Sequence, residues 1–248
     1  MWQLLGDPSD GLEGVRSIGG SDIDVLFVSM SARDPDGRDA EYLAWHALDH
    51  RPEQYRIPGL RASLRLVSTP SCREARAASS ERYDRVDHVM TYFFSGPEAL
   101  GPFGRLGAAL GKGGRMSHML PAVERSIYRS VGSSAAPRIK AGADVLPWWP
   151  AKGAYLLVEQ GDAEASELHR VDGVGGVWWA SGVEGGDGRT DDASGLQITY
   201  CFLDGDPLAT AALLRPALER RWSERSIMPL LAGPFHVPLD YDWDRYLP

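Results

Sequence analysis

Two stretches of the chain, MTYFFSGPEALG at residues 90–101 and ITYCFLDGDPLA at residues 198–209, decide the fold because they match each other. Each begins with β-branched and aromatic residues that favour a strand and continues through a proline into a helical pattern. A Met/Pro/Leu segment follows each helix, at residues 119–121 and 228–230. These matches in the same order predict a tandem repeat, in which Thr91-Tyr92 is equivalent to Thr199-Tyr200.

The hydrophobic pattern predicts the same order of elements in both halves. In the first half it predicts strands at residues 23–31, 60–68 and 86–95 and helices at residues 39–51 and 97–112. In the second half it predicts strands at residues 154–160, 176–182 and 196–203 and helices at residues 162–171 and 207–221. With a last strand in each half, this order is the β-α-β-β-α-β arrangement of a ferredoxin-like unit.

A single ferredoxin-like unit leaves one sheet face uncovered, whereas two units packed face to face cover both. We therefore predict an α+β fold in which a tandem ferredoxin-like repeat forms a pseudo-dimeric α+β barrel, with a cavity between the sheets. The first unit is predicted at residues 20–131, a Pro/Gly/Ala-rich linker at 132–152 and a second, degenerate unit at 153–248. Such a chain needs no partner to cover its sheets, so a monomer or a homodimer through outer helices is expected.

Composition and charge exclude several classes of partner. The 248 residues include 26 basic and 34 acidic side chains, and the net charge of −8 argues against nucleic acid and acidic membranes. No apolar run approaches the roughly 20 residues of a membrane span, and no secretory signal is recognisable. Cys72 and Cys201 are isolated, without disulfide or metal-ligand spacing. A cytoplasmic protein without a membrane partner is expected.

The stretch EYLAWHALDHRPE, residues 41–53, places His46, Asp49 and His50 within about one turn of a predicted helix. The first interpretation is general acid/base catalysis, with His46 or His50 as the base and Asp49 orienting its imidazole. One alternative is a metal site of the H-x-x-D-H kind, but the sequence shows no third ligand, so no metal is expected. The other alternative is a helix end that is braced by these side chains.

Alternation along the strand at residues 86–95 places His88, Met90 and Tyr92 on one face. We expect this face to line the cavity, with His88 or Tyr92 as the catalytic hydrogen-bond donor. The opposite face, which includes Phe93, is expected to pack against helices. A buried structural role is the alternative for His88.

Four side chains are expected to contact the substrate: Trp45, Met90, Arg61 and Trp178. Arg61 shares a strand face with Arg65, and this face would suit a carboxylate or enolate, with a solvated strand edge as the alternative. Trp178 is one of two adjacent tryptophans on a strand, so one of their rings is expected to enter the cavity. Filling the core is the alternative for these rings.

The pattern E-Y-x-x-W-H-x-x-D-H-x-P-E, followed by R-I-P-G-L-R at residues 56–61, resembles the EthD-like members of the dimeric α+β barrel superfamily. The resemblance covers residues 23–94. It implies small-molecule chemistry of the kinds found in that superfamily, which includes cyclases, isomerases, decarboxylases, oxygenases that need little cofactor, and some haem proteins. The second half lacks the motif, so the resemblance implies one site per chain.

These features predict a cofactor-independent enzyme that transfers a proton on a small hydrophobic, aromatic or polyketide-like substrate. The reaction would be a cyclisation, isomerisation, decarboxylation or lyase cleavage. The sequence has no phosphate-binding glycine loop, dinucleotide motif or nucleophile elbow that would favour another chemistry. Two alternatives stay open: a haem-dependent enzyme of the same fold, with His88 or His118 as axial ligand, and a non-catalytic module that binds a small molecule.

Overall fold

The computed structural model of the chain describes residues 4–19, 22–185 and 190–248. The strands within these residues are β1 Val25–Ser31, β2 Leu60–Val67, β3 Ala78–Ser79, β4 His88–Phe94, β5 Ala122–Ala135, β6 Gly153–Gln160, β7 Val174–Gly182, β8 Leu196–Leu203 and β9 Met228–His236. The α-helices are α1 Val15–Gly19, α2 Asp39–Trp45, α3 Arg51–Gln54, α4 Pro70–Glu74, α5 Leu100–Lys112 and α6 Pro207–Arg225. None of the helices in the described residues is long and apolar enough to cross a membrane.

The strands form an antiparallel sheet that closes on itself in the order β2-β4-β1-β5-β7-β8-β6-β9. The closure from β9 back to β2 is made by the pair of Val67 and His236. Each half keeps the ferredoxin-like order, and the fourth strand of each half pairs with the second strand of the other, β5 with β7 and β9 with β2. The predicted tandem repeat and pseudo-dimeric α+β barrel are therefore confirmed.

Side chains from both halves fill the barrel interior. The ring centroids of Phe93 and Trp178 lie 6.4 Å apart, and the hydroxyls of Thr91 and Tyr200 form a hydrogen bond of 2.6 Å. All four side chains are buried, and the three aromatic rings belong to the largest hydrophobic cluster of the described chain. The interior is thus a packed core, so the prediction of a cavity between the two sheets is wrong.

The two faces of β4 are reversed relative to the prediction. Phe93 was expected against the helices but lies in the barrel interior, whereas Met90 and Tyr92 pack with Phe103 of α5 on the outer side. Every residue of β4 is buried, so hydrophobicity does not distinguish its inner face from its outer face. Alternation therefore predicts which residues share a face but not the direction of that face.

The predicted equivalence of Thr91-Tyr92 with Thr199-Tyr200 is also wrong. β4 and β8 occupy corresponding places in the two halves, but Tyr200 points into the barrel while Tyr92 points to the helices. A shift of one residue moves every side chain of a strand to the opposite face. The matching Thr-Tyr letters thus identified equivalent strands, but in a register that differs from the true one by an odd number of residues.

Several element limits differ from the sequence prediction by a few residues, and two differences matter for the organisation of the chain. Residues 132–135, predicted as the start of the linker, belong to β5 and pair with β7. The connection that follows contains 3₁₀ turns at Pro137–Ile139 and Ala143–Trp148. The predicted helix at residues 162–171 is a 3₁₀ turn, Ser166–Arg170. The remaining limits of the two predicted units stay a prediction.

Candidate active site

A cavity of about 630 Å³ lies between the outer face of the first-half sheet and the helices that cover it. This volume is typical of small-molecule sites, which are mostly apolar with a few polar groups. Strands β1, β2, β4 and β5 form its floor, and residues of α2, α3, α5 and the turn between α2 and α3 form its roof. Its apolar wall includes Phe27, Trp45, Met90, Leu100, Phe103 and Ile127.

The histidine motif lies on a helix that changes geometry at the cavity. Between α2 and α3, residues His46–His50 form one π-helical turn, and the helix continues through Pro52 to Gln54, beyond its predicted end at residue 51. Proline has no N–H to bond the carbonyl four residues earlier, which favours a wider turn before it. The rings of His46 and His50 are 5.5 Å apart, and both residues line the cavity.

His46 and Tyr92 form a buried hydrogen-bonded pair in the cavity wall. The distance between His46 Nε2 and the Tyr92 hydroxyl is 3.0 Å, and the residues are 5% and 3% exposed. Burial, with the nearby charge of Arg65, holds the pKa of His46 well below its usual value. Burial raises the pKa of Tyr92. Both groups are therefore neutral at pH 7, and either one can donate the shared proton.

His50 lies beside this pair, with its ring stacked on Trp45 at 5.0 Å. Its Nε2 is 3.1 Å from the amide nitrogen of Gln54, while its Nδ1 is buried without a partner among the described residues. Burial, and next the charge of Arg65, lower the pKa of His50 to about 4. The imidazole is thus neutral at pH 7 and able to accept a proton.

The structure contradicts the orienting role predicted for Asp49. Its carboxylate pairs with Arg115, which holds the pKa of Asp49 below its usual value. Glu53 also pairs with Arg115, at 3.1 Å. These ion pairs tie the segment after α5 to the motif helix, and Met116 and Met119 of that segment line the cavity. Asp49 therefore positions part of the cavity wall instead of a catalytic imidazole.

His88 has the structural role that was its alternative. It is fully buried and absent from the cavity wall, and its Nε2 lies 2.8 Å from Asp39 Oδ1. Asp39 is the first residue of α2 and also accepts a hydrogen bond from the Asp34 N–H. His88 therefore anchors the start of α2 to the sheet, and the prediction that it contacts the substrate is wrong.

Of the four predicted substrate contacts, Trp45 and Met90 line the cavity, whereas Arg61 and Trp178 do not. Arg61 is exposed because the register of β2 shifts between Leu60 and Ala62, so that a bulge turns its side chain outward. Trp178 lies in the barrel interior and donates a hydrogen bond to Ser130 Oγ at 3.0 Å.

Arg65, Tyr42 and Gln54 also line the cavity, although they were not among the predicted site residues. The sequence does contain a signal for two of them. Tyr42, His46, His50 and Gln54 recur at intervals of four residues, which places them on one stripe of a helix. The sequence gives no signal that Arg65 lines the cavity while Arg61 does not, because the bulge that separates them is a feature of the sheet.

Haem, which the resemblance implies as an alternative, does not fit the two histidines predicted to ligate it. His88 Nε2 is engaged by Asp39 outside the cavity, and His118 is exposed and does not contribute to the main cavity wall. A group of three or more potential metal ligands is likewise absent from the residues described. We therefore derive no step through haem.

No family model and no curated protein matches the chain, but solved structures share its fold. A protein provisionally assigned as a chlorite dismutase superposes with a TM-score of 0.50 at 11% identity, over 91% of this chain and 100% of that one. Chlorite dismutase from Candidatus Nitrospira defluvii, solved with imidazole, gives 0.49 at 12% identity, over 90% and 94%. An anthrone oxidase-like protein gives 0.45 at 11% identity, over 88% and 92%.

At these identities the similarity shows the fold alone. The chain shares its fold with the protein compared at a TM-score of 0.50, and the predicted resemblance is confirmed at the level of an α+β barrel fold. The chemistry has to be argued from the cavity.

The buried histidines predict a pH-dependent stability. Because burial lowers the pKa of His46 and His50, the unfolded chain binds protons more readily than the folded one as the pH falls below about 6.5. The free energy of unfolding should therefore decrease from pH 7 to pH 5. Urea unfolding at both pH values checks this, and His50→Gln should reduce the decrease. An unchanged decrease in that variant would show that His50 is protonated equally in both states.

Proposed function

We propose that the protein is an enzyme that transfers a proton on a small hydrophobic, aromatic or polyketide-like molecule held in the cavity. The observation that carries this proposal is the grouping of His46, His50 and Tyr92, all neutral at pH 7, in one mostly apolar wall. Exclusion of water from such a wall strengthens hydrogen bonds to a charge that develops during the reaction.

In the proposed reaction His50 is the base. The Gln54 amide nitrogen faces Nε2, and a half-turn of that amide would present the carbonyl oxygen, which lacks a partner among the described residues, to Nε2 instead. The imidazole would then carry its proton on Nε2, and Nδ1 would keep a free lone pair. Nδ1 then accepts a proton from a carbon next to a carbonyl group. The hydrogen-bonded pair of His46 and Tyr92 donates to the oxygen of the resulting enolate. Isomerisation, cyclisation, decarboxylation and lyase cleavage can all use such an anion, and the protein would need no cofactor for it.

Proton exchange into deuterated water tests the proposal without knowledge of the product. We expect the protein to catalyse exchange of the acidic C–H of one or more members of a panel of small aromatic ketones and β-keto acids, followed by NMR. Tyr92→Phe should slow this exchange by about 10²–10³-fold, the usual effect of removing one donor to an oxyanion. The matched control is Tyr55→Phe, because Tyr55 is 54% exposed and lies outside the cavity. Equal rates in the two variants would contradict the role of Tyr92.

Two alternatives make different forecasts for the same cavity. A binding module would retain panel compounds without exchanging their protons. A haem enzyme would show a Soret band after purification or after addition of haem. Either result would replace the proposed proton transfer.

The proposal includes a cytoplasmic location and a monomer or a homodimer. Cys72 and Cys201 are both free thiols, as is usual in a reducing compartment. The sheet closes within one chain, so no second copy is needed to cover it. Light scattering would reveal the state in solution.

A further inference from the structure

We infer that the cavity binds its ligand as an anion, whose carboxylate is held by Arg65. This inference rests on the proposed function for its site and deepens it, because it names the substrate class as a small planar acid. It rests on the contacts of Arg65 and on the charges of the cavity wall.

Arg65 is a buried cation whose charge no described residue neutralises. It lies on β2 opposite Met90, lines the cavity and is 6% exposed. Its Nη1 donates to the Tyr42 hydroxyl at 2.7 Å, whereas Nε and Nη2 have no hydrogen-bond partner among the described residues. Buried arginines are normally paired with acids, so this one lacks its usual counter-charge.

The rest of the cavity wall does not supply a negative charge. The charged side chains among the described lining residues are Arg65 and Arg125, and that lining includes no Asp or Glu. His46 and His50 are neutral, as argued above. A chain with a net charge of −8 therefore has a cavity whose wall is positive. Such a wall disfavours cations and becomes electrostatically balanced when an anion enters.

The two unpaired nitrogens of Arg65 suit a carboxylate. Nε and Nη2 lie on one edge of the guanidinium, where two parallel N–H groups match the two oxygens of an acid. Tyr42 contacts the guanidinium in two ways. Its hydroxyl accepts a hydrogen bond from Nη1, and its ring centroid lies 4.9 Å from the guanidinium carbon. Because both unpaired atoms are covered in this conformation, the guanidinium has to turn slightly into the cavity to reach a ligand.

The apolar wall suits the body of such a ligand. The rings of Phe27 and Phe103 are 5.0 Å apart, and Trp45 and Met90 also line the cavity. An aromatic acid would thus place its ring on this wall and its charge near Arg65. The positive charge of Arg65 already acts on His46 and His50, so the acid would also lie close to the proposed base.

Calorimetric titration with 2-naphthoate and its uncharged analogue 2-naphthamide tests the inference. Wild-type protein should bind the acid about 10–100-fold more tightly than the amide, as expected for hydrogen bonds to a charged group. Arg65→Gln should abolish this difference. The matched control is Arg61→Gln on the same strand, which should retain it because Arg61 is exposed outside the cavity. Circular dichroism would verify that each variant is folded.

Three results would overturn the inference: equal binding of acid and amide by wild-type protein, a preference for the acid that survives in Arg65→Gln, and no binding of benzoate, 2-naphthoate or anthracene-2-carboxylate. Failure of the proposed function would give other results in these experiments. Acid binding through Arg65 without any proton exchange would leave the inference intact and remove the proposed chemistry. Proton exchange on neutral ketones that is unaffected in Arg65→Gln would support the proposed chemistry and overturn the inference about Arg65.

Discussion

Replacing His50 by alanine is expected to lower the rate of proton exchange by about 10²–10⁴-fold, the usual contribution of one general base. His50 is the cavity imidazole whose ring nitrogen Nδ1 has no partner among the described residues, so its loss removes the proposed proton acceptor. Its position at the cavity surface limits the cost to folding. The rate per folded molecule is to be measured together with the free energy of unfolding in urea.

His118→Ala is the matched control for this experiment, because His118 is exposed outside the main cavity wall. It should exchange protons at the wild-type rate. His46→Ala should lower both the rate and the stability, because it leaves the buried Tyr92 hydroxyl without its partner, at a cost of about 1–3 kcal/mol. A loss of stability in His50→Ala with an unchanged rate of proton exchange would show that His50 has a structural role instead of a catalytic one.

The largest effect on stability is expected at Arg221 in the second half. Arg221→Met should lower the free energy of unfolding by about 3–5 kcal/mol, because it leaves a buried charge on Glu159. The two side chains are each 1% exposed and are joined by an ion pair of 3.0 Å. Arg221 also donates to the Ala163 carbonyl at 3.1 Å. Urea unfolding at pH 7 measures the difference.

Arg225→Met is the control for that change. Arg225 lies on the same helix and pairs with Glu167 at 3.2 Å, but its side chain is 40% exposed, so its loss should cost less than about 1 kcal/mol. Removing both charges with Arg221→Met and Glu159→Leu should restore much of the stability, because no unpaired charge remains. Equal losses in Arg221→Met and Arg225→Met would refute the buried ion pair.

The packing of α6 helps to explain why the candidate site lies in the first half. In the second half α6 packs closely on the sheet, with Leu214 and Leu218 fully buried against Leu157 and Cys201. Side chains thus occupy the space that corresponds to the cavity. The 3₁₀ turn Ser166–Arg170 replaces the motif helix. The expectation of one site per chain agrees with this packing.

Local pattern was sufficient to predict the main strands, most of the long helices and the tandem barrel, but it missed α1, α4 and β3 and predicted a helix where a 3₁₀ turn lies. Hydrophobic periodicity acts over a few residues, so it can be read without knowledge of the fold. The same holds for the helical stripe that carries His46 and His50, because their spacing along the helix depends only on helix geometry.

The tertiary structure alone decided which face of each strand lines the cavity and which distant residues pair with the motif. The direction of β4 depends on which of two apolar faces packs against the other half, and its local sequence is hydrophobic on both. The bulge in β2 separates Arg65, in the cavity, from Arg61, in solvent. Asp49 pairs with Arg115, a residue 66 positions away, instead of a neighbouring histidine. Contacts between distant residues depend on how the chain closes, so sequence alone determined the elements and the structure determined the site.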